Sequence, residues 1–369
     1  MNKTTKIILI ILMIAVAGFV IYFIWNLFTA PSEQQPSTTQ QNATSTATTT
    51  KIISATRISK NPAAALITTS NYVFYIDFDG NAHKITTDNK DSTITAEGIQ
   101  SLNSITISPD KQKILVSFGN PQSPQWAVFD ANDQVWQPLP QNIIYSTWSN
   151  QNNLLICLIK RSDYSYDLSY LNISKSPFVF TKIISPFDMI DINFVWNYPN
   201  DLLIYNKPSY LFNSQVLDLN LKNQNIRTIY GPALGLTIQP ANNFTSSSII
   251  FGYSTHANAF TLITSSSAVI NNPLPFITMP QKCTADLNNN IYCFAPQDIP
   301  SDLKLPDDYF QQAYLSSDQL YIIDNSGNLK INQLNTTNPI DGIWPQIFNN
   351  NLYFINRRDN FIYYYPLNP

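Results

Sequence analysis

Between Ile105 and Phe118 the chain reads Ile-Thr-Ile-Ser-Pro-Asp-Lys-Gln-Lys-Ile-Leu-Val-Ser-Phe, two short apolar-rich strands around a polar turn. Imperfect copies of this hairpin begin at Tyr145, Ile192, Leu236, Cys283 and Ile343, with successive starts 40 to 47 residues apart and a last step of 60. In each copy an apolar strand leads through Asn, Asp, Ser or Pro into a more continuous one, such as Leu154-Leu155-Ile156, Leu202-Leu203-Ile204 or Leu352-Tyr353-Phe354. Continuous apolar runs mark strands buried on both faces. A hairpin this small cannot bury its own apolar side, so its repetition requires copies to stack on one another.

Second hairpins lie between the first set, at Trp126 to Leu139, Leu168 to Ile183, Val216 to Tyr230, Phe260 to Ile270 and Leu320 to Leu334. Val73 to Ile85, which carries an Asp79-Gly80 turn, reads as an outer hairpin of the same kind. Paired hairpins at this period predict four-stranded sheets arranged as the blades of an all-β propeller. Six full inner hairpins and a leading partial unit give seven blades, with six or eight left open. Residues 51–58 are expected to close the ring by completing the blade built from Trp344 to Leu367, because an open ring leaves strand edges exposed. Composition agrees. Glu33 and Glu97 are the only glutamates, while Asn, Ser, Thr, Tyr, Ile and Phe abound, a mix suited to strands and turns.

Ser108-Pro109-Asp110-Lys111-Gln112-Lys113-Ile114 resembles the Ser-Pro-Asp-Gly-Lys-x-Ile core of the WD-repeat-like propellers typified by the periplasmic protein TolB. Trp148-Ser149 and Trp196-Asn197 look like degraded copies of its Trp-Ser-Pro-Asp form. The turn glycine of that pattern is missing, with Lys111-Gln112 in its place. The resemblance implies a propeller serving as a binding platform and supplies no catalytic residue.

Ile7 to Phe28 is an uninterrupted run of 22 residues in which Asn26 is the one strongly polar member, long enough to span a bilayer. Lys3 and Lys6 precede it, and no Lys or Arg follows before Lys51. That asymmetry predicts a single-pass signal anchor with residues 1–6 cytoplasmic and the main domain extracytoplasmic, a cleaved secretory signal being the alternative. Residues 29–50, rich in Ser, Thr, Gln and Pro, read as a flexible tether to a domain over 51–369. The net charge of −3, without a basic block, argues against nucleic acid as a partner.

Cys283 and Cys293 sit symmetrically about Asn288, which on a regular hairpin sets them opposite each other within disulfide reach; two buried thiols are the alternative. Cys157, in Leu-Leu-Ile-Cys-Leu-Ile, reads as core. His83 and His256 have neither metal-ligand spacing nor a nucleophile motif beside them and read as turn or surface residues. No catalytic residue, metal site or cofactor is therefore assigned. The longest departure from the repeat, Ala295 to Ala313, carries Asp298, Asp302, Asp307, Asp308, Tyr309 and Phe310. Those aspartates lack the ligand spacing of a calcium loop, so the segment reads as a partner-binding loop. The preferred function is a non-catalytic platform for a protein or envelope component, with a small-molecule ligand left open. The alternative is a glycan-acting hydrolase or lyase using aspartates in the central cleft.

Overall fold

The computed structural model describes residues 54–367 apart from 70, 96, 190, 198–199, 241–248, 255–258, 265–268, 271–273, 275, 287, 289, 325, 333 and 335–337. The predicted anchor and tether, and His256, lie outside the described residues. Among the described residues no helix is long and apolar enough to cross a membrane.

The first strand, β1 (Thr56–Arg57), is followed by β2 (Ala63–Thr68), β3 (Tyr72–Asp77), β4 (Ala82–Thr86) and β5 (Asp91–Thr93), which form one antiparallel sheet. The next sheet is β6 (Leu102–Ile107), β7 (Lys113–Phe118), β8 (Gln125–Asp130) and β9 (Val135–Pro138). Then come β10 (Ile143–Trp148), β11 (Leu154–Lys160), β12 (Tyr166–Asn172) and β13 (Phe180–Ile184). A fourth sheet holds β14 (Ile192–Asn197), β15 (Asp201–Asn206), β16 (Asn213–Asn220) and β17 (Ile226–Leu234). The backbone of a fifth runs through β18 (Thr237–Pro240), β19 (Ile249–Ser254), β20 (Ala259–Thr264) and β21 (Val269–Ile270). After a 3₁₀ turn at Pro280–Lys282, the sixth contains β22 (Cys283–Ala285), β23 (Ile291–Pro296), β24 (Asp318–Ile323) and β25 (Leu329–Asn332). These six sheets use consecutive strands. A further one joins the two ends of the domain: β26 (Gly342–Phe348), β27 (Asn351–Asn356) and β28 (Phe361–Pro366) are completed by β1. The domain is an all-β propeller of four-stranded blades. The segment Val73 to Ile85 is not an outer hairpin: β3 and β4 are the second and third strands of their own blade, whose inner strand β2 is too Ala-rich to stand out as an apolar run.

Alternation along the central strand β11 joins its blade to both neighbours. Leu155, Cys157 and Ile159 of β11 meet Leu115, Trp126 and Val128 of the preceding blade. Ile156 and Leu158, on the opposite face, meet Phe194, Leu202 and Ile204 of the following one. A strand sandwiched in this way must be apolar at every position, which is why the repeats show continuous runs. Burial pushes the Cys157 thiol up to about 12, with a hydrogen bond to Ser146 working weakly the other way, so it is an inert core residue. Lys111, where the TolB-like turn has glycine, adopts a left-handed φ of 59°. The turn geometry persists without its usual residue.

Ring closure rests on several contacts. Thr56 pairs with Tyr364 and Arg57 with Tyr363, Ile58 N donates to Ile362 O at 2.9 Å, and Ile362 N donates to Ser59 Oγ at 2.9 Å. The inner strands of adjoining blades are also tied: Gln346 Oε1 accepts from Thr68 N (2.9 Å) while Gln346 Nε2 donates to Leu66 O (2.7 Å).

Cys283 and Cys293 are register partners of β22 and β23, with Cα atoms 4.2 Å apart, and are joined by a disulfide. For a sequence separation of 10, loop-closure entropy gives a stabilisation of about 2–3 kcal/mol. Replacing both cysteines by serine is expected to lower the denaturant midpoint accordingly. An unchanged midpoint would show that the bridge contributes nothing.

Candidate binding groove

In the blades whose second-to-third connection is described, that connection emerges at the same end of the sheet. Asp79-Gly80 (β3 to β4), Ser209-Tyr210 (β15 to β16), the insertion at 297–317 (β23 to β24) and Arg357 to Asn360 (β27 to β28) thus share one rim. Contacts bear this out. Tyr210 N donates to Asp307 Oδ1 at 2.9 Å, and Arg357 Nη1 donates to Tyr309 O at 2.6 Å. The insertion carries one helical turn, α1 (Asp307–Phe310), fixed by Asp308 Oδ2 accepting from Lys304 N at 2.7 Å.

Beneath α1 lies a buried ionic cluster. Lys282, fully enclosed, donates from Nζ to Ser316 Oγ (2.9 Å), Asp318 Oδ2 (2.5 Å) and Asp341 Oδ1 (2.7 Å). Asp341 Oδ2 accepts from Arg357 Nε at 3.0 Å, and the same guanidinium lies 3.7 Å from the Tyr309 ring centroid. Arg357 also donates to Tyr314 O. Burial raises the Asp318 carboxyl above the usual range despite Lys282. For Asp341 burial acts in the same sense, but Lys282 and Arg357 together outweigh it and hold the group low. The cluster anchors the insertion to the last blade through backbone carbonyls.

Above it opens a groove of about 220 Å³, with Phe78, Phe310 and Trp344 on its walls and the amides of Gln281, Gln312 and Asn360 around it. These aromatics come from three separate elements and are 56%, 43% and 38% exposed. Trp344 is aimed there by a bulge in β26, where the register shifts between Ile343 and Gln346 and Trp344 takes a left-handed φ of 50°.

Phe78 also borders a polar cavity of about 280 Å³ lined by Asn61, Asp77, Asp79, Asn81, His83 and Thr93. Gly80 (φ 75°) shapes this edge, because a Cβ there would sit 1.9 Å from the Ile99 carbonyl oxygen. His83 is neither a turn nor a surface residue. It lies on β4, 3% exposed, stacked on Tyr75 at 4.5 Å, because two aspartates give it a polar niche inside the blade. His83 Nε2 donates to Asp77 Oδ2 at 2.8 Å, which leaves Nδ1 to accept from Thr93 Oγ1 at 3.3 Å. Both ring nitrogens are thus engaged, and neither is open to a reacting group. Asp77 is likewise committed, accepting from Asn81 N (2.8 Å) and Asn81 Nδ2 (3.2 Å). Asp79 is exposed at the cavity and takes no partner from the described residues.

Of the sequence-predicted loop residues, Phe310 faces the groove, Tyr309 is buried under it, and Asp307 and Asp308 brace α1. Asp298 and Asp302 are exposed at the start of the insertion, where the Asp298 carbonyl accepts from Tyr314 OH. Among the described residues no three His, Cys, Asp or Glu side chains gather so as to hold a metal ion.

No protein-family model matches the chain, and no curated protein is detectably similar to it. Solved structures do resemble it. An oligogalacturonate lyase from Vibrio parahaemolyticus aligns with a TM-score of 0.56 at 14% identity, over 86% of this chain and 91% of that one. An oligogalacturonate lyase in complex with manganese gives 0.55 at 11%, over 86% and 91%. The β-propeller domain of a trilobed protease from Pyrococcus furiosus gives 0.50 at 10%, over 85% and 96%. The shared feature is the propeller fold. Manganese belongs to the second of those proteins; the described residues here offer no ligand set to match it, so no metal-dependent step is derived.

Proposed function

We propose that this chain is a membrane-anchored, extracytoplasmic propeller of the TolB-like kind that engages a saccharide chain of the cell envelope in the rim groove. The observation that carries this reading is the convergence of Phe78, Phe310 and Trp344 around one groove edged by side-chain amides. Aromatic faces offer rigid apolar contact area, and a few placed amides fix orientation, which suits a ligand with apolar ring faces and hydroxyl edges.

A glycan-acting enzyme is the second reading, supported by the two neighbours named as oligogalacturonate lyases. In that form Asp79 is the acid-base candidate, since Asp77 and His83 are occupied. An inverting hydrolase would need a second carboxyl about 6.5–9.5 Å away.

Titration of the full-length protein in detergent against a panel of oligosaccharides tests both readings, with reducing ends and the ultraviolet absorbance of unsaturated products followed in parallel. Phe310→Ala and Trp344→Ala are each expected to weaken binding about tenfold, near 1.4 kcal/mol. Binding without new ends leaves a saccharide-binding platform; new ends lost in Asp79→Asn establish the enzyme. Unchanged affinity in both aromatic variants would remove the groove from the function.

A further inference from the structure

The groove and cavity differ from a polyanion site in one respect that determines which saccharides they accept. A chain of uronic acids brings a carboxylate on every ring, and each needs a cation or a bound metal to compensate its desolvation. Among the described residues the cavity beside Phe78 has no Lys or Arg in its lining. The groove has one among the described residues, Arg357, and that guanidinium is already spent on Asp341, Tyr309 O and Tyr314 O. Lys60 is outside this lining, its Nζ on the backbone carbonyl of Asp91 at 3.1 Å. Within the described lining the one unpaired charge is negative. Asp79 is exposed and unpaired among the described residues, and behind His83 the Oδ1 atom of Asp91 is buried without a hydrogen-bond partner, 3.9 Å from Nδ1.

From these residues we infer that the saccharide taken by this rim carries no carboxylates, that amine-bearing sugars are favoured over neutral ones, and that Asp79 is the discriminating side chain. The inference rests on the saccharide reading of the groove and narrows it. A β-eliminating lyase depends on a uronate carboxylate to acidify the neighbouring C–H, so a ligand free of carboxylates leaves binding or hydrolysis as the activity. Asp79 is suited to the role because its carboxylate is accessible next to Phe78, where an ammonium substituent on a ring stacked against that phenyl face would meet it.

The test is a set of titrations of the full-length protein in detergent at low salt with three probes: a glucosamine oligomer, its N-acetylated counterpart and an oligogalacturonate of equal length. The expected order is glucosamine oligomer tightest, the N-acetylated chain several-fold weaker, and oligogalacturonate at least tenfold weaker than that. Asp79→Asn, a surface change that leaves the Asp77–His83 pair intact, is expected to abolish the preference for the free amine. Asp79→Lys is expected to bring oligogalacturonate to the affinity of the neutral chain or better. Oligogalacturonate binding as tightly as the glucosamine oligomer would overturn the inference while leaving the saccharide reading standing, as would an Asp79→Asn variant with the wild-type order. Failure of all three probes to bind would overturn both.

Discussion

Lys282→Met is expected to lower the stability of the domain by about 3–5 kcal/mol, the cost of removing one partner from a buried ion pair. Asp318, Asp341 and Lys282 are all within the protein interior, and among the described residues the ammonium is the one cation that Asp318 touches, through the 2.5 Å contact. Asp341 retains Arg357 at 3.0 Å in the variant, so the exposed loss is at Asp318. The pH dependence follows from the sign of that loss. A carboxyl whose folded value is raised above its unfolded one destabilises the fold at pH above the unfolded value, and the penalty fades as the group is protonated. Lys282→Met is therefore expected to be least stable relative to the parent near pH 7 and to recover towards pH 4. Adding Asp318→Asn is expected to restore part of the stability at pH 7. Urea denaturation at the two pH values measures all of this, and a single-variant loss below about 1 kcal/mol would contradict the account. Because the cluster holds the insertion by the Tyr309 and Tyr314 carbonyls, loss of stability is expected to come with faster proteolysis within 297–317.

Replacing Thr56, Arg57 and Ile58 by glycines is expected to cost about 3–4 kcal/mol. The change weakens the strand pairing of β1 with β28 and removes the Arg57 guanidinium from above the Phe361 ring, 3.2 Å from its centroid, together with the Ile58 side chain that packs beside Ile362. Thermal unfolding reads the loss. Size-exclusion chromatography reads a second consequence, because a freed β28 presents an unpaired edge through which copies can associate. Retention of both the melting temperature and the elution position of the parent protein would show that the ring is closed by other means.

The architecture was legible because each blade repeats the same burial problem, and a strand such as β7 or β11 betrays its two-sided burial by an unbroken apolar run. The opposed cysteines were legible for a related reason, since register about a short turn is simple counting. The niche of His83 was not, because Asp77 and Asp91 reach it from the preceding and the following strand, and nothing in local spacing marks a polar pair folded inward. Lys282 was equally hidden. Its partners lie 36 and 59 residues away, and a buried lysine is written in sequence like any surface one. Of the insertion, Tyr309 and Phe310 stood out by type, but their division of labour, one ring clamped under Arg357 and the other open to the groove, depends on contacts across blades. Trp344 marked in sequence only the start of the last blade, because its exposure at the groove depends on a bulge that carries no residue signature.

The strand that closes the ring is also the first element after the segment predicted to fix the protein to a membrane. Any tension reaching Thr56 from that side falls on a two-residue ladder. The other strands of that sheet pair over longer stretches, as β27 does with β28 across six positions. A pull from that side therefore acts first on the shortest pairing of the closing blade, backed by the Ile58–Ile362 and Ile362–Ser59 hydrogen bonds.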